Sequence, residues 1–184
     1  MKVKSPGVIA IALIGALVAT NAVAQAPAGG PPGGPGGPGG GRGGAPAARP
    51  SIDLPTAKKM MAAAEAAALE AKANFAIAIV DANGDLVYFV RMDGATGRAV
   101  TSSQGKARAA LLFGMPSKDV ADAIAAGKPV SVTLTNPLAG AEITPQQGGI
   151  PVFKDGKIIA AIGAGGSMPA TDEKIAQAGA DAVK

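Results

Sequence analysis

Histidine, cysteine and tryptophan are all absent from the 184 residues, and the aromatic side chains amount to four Phe and one Tyr. Without His or Cys the chain cannot build a Ser-His or Cys-His nucleophilic system. The same absence excludes zinc sites of His and Cys ligands and iron centres held by two His and a carboxylate. Lack of Cys also removes disulfide staples, so the folded part must be stabilised by burial. Acidic and basic charge are scarce too, at 16% of residues. The formal net charge of +4 is misleading. Lys2 and Lys4 belong to a leader and Arg42 and Arg49 to a linker, which leaves 13 basic against 13 acidic residues from Ser51 onward. A neutral domain with so few aromatics lacks both the basic footprint and the stacking platforms of nucleic-acid binders.

What is present begins with an address. Lys2 and Lys4 precede an apolar run of 11 residues, Val8 to Val18, and Ala22-Val23-Ala24 fits a small-x-small cleavage site. This pattern is a secretory signal peptide over residues 1–24, too short and wrongly flanked for a membrane span. No Cys follows it for lipid anchoring, so the expected product is periplasmic or secreted, starts at Gln25 and has no stable membrane anchor. Residues 25–50 are almost wholly Gly, Pro and Ala, including Pro31-Pro32-Gly33-Gly34-Pro35. Such a segment buries too little to offset its ordering entropy and is expected to be a disordered tether. Residues 51–184 then form one domain, long enough for a sizeable core.

The domain reads as alternating helices and hairpins. Leu54 to Lys72 has Asp53 as a cap and Pro55 in its first turn. Its inward face is nearly all alanine. Phe75 to Val80 is apolar at every position, as in a strand covered on both faces. The turn Asp81-Ala82-Asn83-Gly84-Asp85 leads back into Leu86 to Met92, where Tyr88, Val90 and Met92 alternate with Val87, Phe89 and Arg91. A helix from Arg98 to Phe113 precedes a short one, capped by Ser117 and ended by Gly127. Val130 to Thr135 suggests an edge strand, and Pro137 to Gln147 a loop. Ile150 to Phe153 and Lys157 to Ile162 form a hairpin through Asp155-Gly156. The last helix is expected from Thr171, its cap, to Val183, with Asp172 and Glu173 favouring the positive helix end. This order predicts an α+β fold, an antiparallel sheet with helices packed on it.

Two stretches resemble a known family. One runs Gly148-Gly149-Ile150-Pro151-Val152-Phe153-Lys154-Asp155-Gly156-Lys157 through Gly163-Ala164-Gly165-Gly166-Ser167, followed by Thr171-Asp172-Glu173-Lys174-Ile175. The other is Val80-Asp81-Ala82-Asn83-Gly84-Asp85 with Arg91-Met92-Asp93-Gly94-Ala95. Over roughly Leu54 to Val183 the chain resembles the GlcG/HbpS-type haem-binding family, related to the C-terminal domain of PduO-type corrinoid adenosyltransferases. The resemblance implies a profilin-like, five-stranded antiparallel sheet flanked by helices. It also implies a homo-oligomer, and haem as cofactor with a corrinoid as the alternative.

Histidine, the commonest haem ligand, is unavailable. That leaves Tyr88, the methionines Met92, Met115 and Met168, Lys106, another oxygen donor, or no protein ligand. Lys106 matches a lysine-alanine step of the family, against the alternative of a solvated helix face. Arg91, with Asp93 and Gly94 behind it, either orients a carboxylate by a bidentate contact or pins its own turn through an ion pair to the aspartate. Gly163 to Ser167, including Gly165, supplies backbone N–H groups ahead of a helix and so an anion site, or else a turn that simply needs glycine. It is neither a Walker loop nor a dinucleotide fingerprint. The family often carries valine-serine-glycine where this chain has Ala164-Gly165-Gly166, so a hydroxyl contact there falls to Ser167. Asp172 and Glu173 point in different directions on a helix, and Asp81 and Asp85 bracket a turn; neither pair forms an acid–base couple. Three readings follow: an exported oligomer that binds haem or another tetrapyrrole, a small-carboxylate binder or enzyme, and a scaffold without ligand. No residue pattern names a reaction.

Overall fold

The computed structural model describes residues 51–131 and 141–184. Eight elements follow one another: α1 (Leu54–Glu70), β1 (Ala76–Asp81), β2 (Leu86–Arg91), α2 (Gly97–Phe113), α3 (Ser117–Ala125), β3 (Gly149–Lys154), β4 (Lys157–Gly165) and α4 (Pro169–Asp181). The sheet has the order β2-β1-β4-β3, and every neighbouring pair is antiparallel. The expected α+β architecture is therefore present. Among the described residues the sheet has four strands. Of the expected edge strand at 130–135, Val130 and Ser131 lie in no strand and the remainder falls outside the described residues.

Local chemistry sets most boundaries. Asp53 accepts the Thr56 N–H at 2.7 Å and Pro55 occupies the first turn of α1. Thr96 caps α2 by accepting from Ala99 N–H, and Gly114 closes that helix in the left-handed conformation at φ 64°. Asp155 and Gly156 both have positive φ, 50° and 72°, as a two-residue hairpin matching the strand twist requires. Two expected caps are corrected. The last helix starts at Pro169, after Met168 rather than at Thr171, because proline is pre-set for the first helical position. Ser117 is the first residue of α3, not its cap; its hydroxyl instead donates to Gln146 O and accepts from Gly149 N–H.

The strand alternation shows how the sheet is covered. Ile77, Ile79, Ile150, Val152 and Ile162 join Met60, Met61 and Ile175 in one core beneath α1 and α4. The opposite face carries Ala76, Ala161, Gly149, Gly163 and Gly165 beneath α2. Ladder pairing jumps from Ile79–Tyr88 to Val80–Leu86, leaving Val87 in a bulge. That extra residue brings Val87 to the same core as Tyr88 and Val90, overriding the strict alternation expected of β2. Among the described residues no helix is long and apolar enough to cross a membrane.

The small face lets α2 lie almost backbone to backbone on the sheet. A Cβ on Gly163 would fall 2.2 Å from Ser103 O and 2.6 Å from Ala107 N, main-chain atoms that cannot rotate away. Gly163→Ala is therefore expected to destabilise the fold by at least about 1–3 kcal/mol. Gly97→Ala, where a Cβ meets open space, is expected to stabilise by about 0.4–1 kcal/mol. Denaturant unfolding of both variants checks the contrast.

Candidate functional site

Close packing of α2 carries Lys106 into the interior. The residue is 4% exposed, and its ammonium donates to Asp172 Oδ2 at 2.6 Å and to Ala164 O at 3.2 Å. Asp172, 3% exposed, lies in the first turn of α4. Its other oxygen accepts the Ser167 N–H at 3.1 Å. The pair thus ties α2, β4 and the start of α4 together. Lysine carries three donors, so one remains after these two contacts.

The pair forms the floor of a cleft of about 330 Å³. Its lining comes from Thr96 and α2 (Arg98, Ser102 and Lys106), from the β4–α4 turn and the start of α4 (Gly166, Ser167, Pro169 and Asp172), and from Gln146. Arg98 is exposed and has no hydrogen-bond or ion-pair partner among the described residues. The positive end of α4 adds to the same field. Burial pushes the Asp172 carboxyl above the usual aspartate range, against the opposing pull of the Lys106 hydrogen bond and charge and of the Ser167 N–H. Arg98 and Lys106 are the cationic side chains of the cleft lining, and Lys106 is already paired with Asp172. Among the described residues no group of His, Cys, Asp and Glu could hold a metal ion.

The structure gathers some of the residues expected from sequence and separates others. Lys106 and Ser167 line the cleft together. Gly165 is buried in β4, where a Cβ would sit 2.4 Å from Ser102 Oγ. Strand β4 runs through Gly165, so Gly163 to Gly165 are strand residues and the turn proper is Gly166-Ser167. The Ser167 N–H, expected to serve an external anion, is already bonded to Asp172. Arg91 Nε and Nη2 both donate to Ala95 O, at 3.0 and 2.8 Å, so its fork closes the turn onto a carbonyl rather than onto Asp93, which stays exposed. Tyr88 packs against the α1–α4 core, on the face away from α2. Met92 and Met115 also pack against the two cores, while Met168, between Ser167 and Pro169, is 70% exposed. Sequence reasoning missed Arg98 and the pairing of Asp172 with Lys106, because the two partners lie 66 positions apart.

Lys106→Met would strand a carboxylate in the interior. At neutral pH this is expected to cost about 3–5 kcal/mol. The raised Asp172 midpoint means that the folded state holds this proton more tightly than the unfolded chain does. The stability Asp172 contributes is fully present below the ordinary midpoint near ~3.9 and is lost as pH rises through the folded one. Removing Lys106 moves that folded midpoint further up. The penalty of Lys106→Met therefore shrinks on acidification, which denaturation of both proteins across the acid range would show.

Comparison with known proteins agrees with this geometry. Protein GlcG of Escherichia coli K12 is 35% identical over 107 residues, covering 58% of this chain and 75% of its own. The crystal structure of a double mutant of Streptomyces reticuli HbpS superposes with a TM-score of 0.67 at 28% identity, covering 81% of this chain and 98% of that one. A structure described as a PduOC:haem complex shares the fold, with a TM-score of 0.63 at 21% identity, over 73% of this chain and 96% of that one. Residues 52–181 match the family model described as "Haem degrading protein HbpS-like", and the chain belongs to that family.

Proposed function

We propose that the protein is an exported, oligomeric haem-binding protein that holds its ligand by the carboxylate edge at the Lys106 cleft. The observation that carries the reading is the Arg98 guanidinium, without a partner among the described residues, lining the same cleft as the buried Lys106–Asp172 pair. Membership of the HbpS-like family and the haem complex of the PduO domain support haem as the ligand. The signal-peptide pattern of residues 1–24 supports export.

The residues present fit the anionic edge of haem. A cleft of about 330 Å³ is at the small end of organic-ligand sites, which suits a carboxylate group and leaves the ring outside. Arg98 would hold a propionate by its planar fork, with the Ser167 hydroxyl as a further donor. Met168, exposed between Ser167 and Pro169 of the cleft lining, would be a candidate soft donor to the iron. Asp172 occupies the Ser167 N–H, so that an external anion does not, and fixes the position of the Lys106 ammonium. Bound haem supplies a redox-active iron; the polypeptide supplies binding and orientation.

The small cleft volume also favours a second reading, a protein that binds a free small carboxylate through the same Arg98 and Lys106. Hemin titration into the full chain separates the two. The haem reading predicts a saturable Soret shift at one haem per subunit or per pair of subunits, with light scattering above the monomer mass. Arg98→Gln is expected to weaken binding about tenfold, the loss of one charge-assisted contact. A linear, unsaturable response with a thermal shift from small carboxylates would favour the second reading.

A further inference from the structure

A larger groove, about 1000 Å³, lies away from the Lys106 cleft, between the start of α1 and the β3–β4 hairpin. Ile52 and Ile159, each 8% exposed, lie at its base, and the Phe153 ring, 50% exposed, forms a wall. Lys59 and Lys157 line it without a hydrogen-bond or ion-pair partner among the described residues, Lys154 has the Asp53 carboxylate as an electrostatic neighbour, Lys184 is paired with Asp181, and Asp53 also accepts the Thr56 N–H. Asp155, at the hairpin tip, is the remaining acid of the groove.

The lysines are not merely solvated surface. Lys154 and Lys157 are direct partners on the last rung of the hairpin ladder. Like charges opposite one another across a rung are destabilising, and this pair stands beside an exposed aromatic ring. We propose that the groove is a second binding site, for an amphipathic organic anion: an apolar or aromatic body carrying a carboxylate, sulfonate or phosphate. The body would cover Phe153 and the Ile52–Ile159 base, and the anion would relieve the repulsion between Lys154 and Lys157. None of these residues lines the Lys106 cleft, so the site stands independently of the haem reading.

The probe is 8-anilinonaphthalene-1-sulfonate, titrated into the full chain and followed by fluorescence. Saturable binding at one dye per protomer is expected. The Lys154→Gln/Lys157→Gln double variant and Phe153→Ala should each bind about tenfold more weakly. Both sets of side chains are exposed, and unchanged circular-dichroism melts would show that the fold is intact. N-phenyl-1-naphthylamine, the same ring body without charge, should bind wild-type protein at least about tenfold more weakly. That comparison needs no variant and holds even if a substitution disturbs folding. Equal affinity for the neutral dye, or wild-type affinity in the double lysine variant, would overturn the proposal.

Discussion

The near-contact between the backbone of α2 and strands β3 and β4 governs everything else in this domain. Gly149 and Gly163 let the helix settle where any side chain would collide with Lys106 O or Ser103 O. At that distance Lys106 cannot lie along the surface, as a lysine on an amphipathic helix normally does. It enters the interior, and a cation there requires a counter-charge and hydrogen-bond acceptors. Asp172 and Ala164 O provide them. The glycines are thus the reason that a buried ion pair exists, and the pair ties the first turn of α4 to α2 and β4.

The proposed function is coupled to the same device. Asp172 uses one oxygen on Lys106 and the other on the Ser167 N–H, so the turn between β4 and α4 is held from inside. The cleft above it is shaped by this internal carboxylate, which shields the helix end while leaving Arg98 free to meet an external anion. In the proposed binding mode an incoming carboxylate would meet a turn already held by Asp172, with no loop to order first. Preorganisation of this kind raises affinity by lowering the cost of binding. The opposite face, packed with isoleucine and methionine around Tyr88, serves stability alone in this scheme.

Local signals made most of the fold legible. Asp53 and Pro55, the Asp155-Gly156 pair, and the uninterrupted apolar run of β1 each act within a few residues, and each has the expected structural outcome. The bulge at Val87 was not legible, because ladder register depends on the partner strand. Pro169 rather than Thr171 opening α4 is a contest between two valid start signals, won by the rigid ring. Within the site, Lys106 and Ser167 were visible as motif residues. The role of Asp172 was hidden, since its neighbour Glu173 invited comparison with an adjacent carboxylate rather than with a lysine 66 positions earlier. Arg91 read equally well as a ligand contact or a turn brace, and only the position of Ala95 O shows the brace.

The central claim is that an anionic tetrapyrrole meets this protein at the Lys106 cleft. Amide and side-chain chemical shifts followed on addition of gallium protoporphyrin, which is diamagnetic and keeps both carboxylates, test it most directly. The account predicts that the largest changes fall at Arg98, Ser102, Ser167 and Met168, with Tyr88 and the α1–α4 core little affected. Changes centred on Tyr88, or confined to the groove around Phe153 and Lys157, would contradict it.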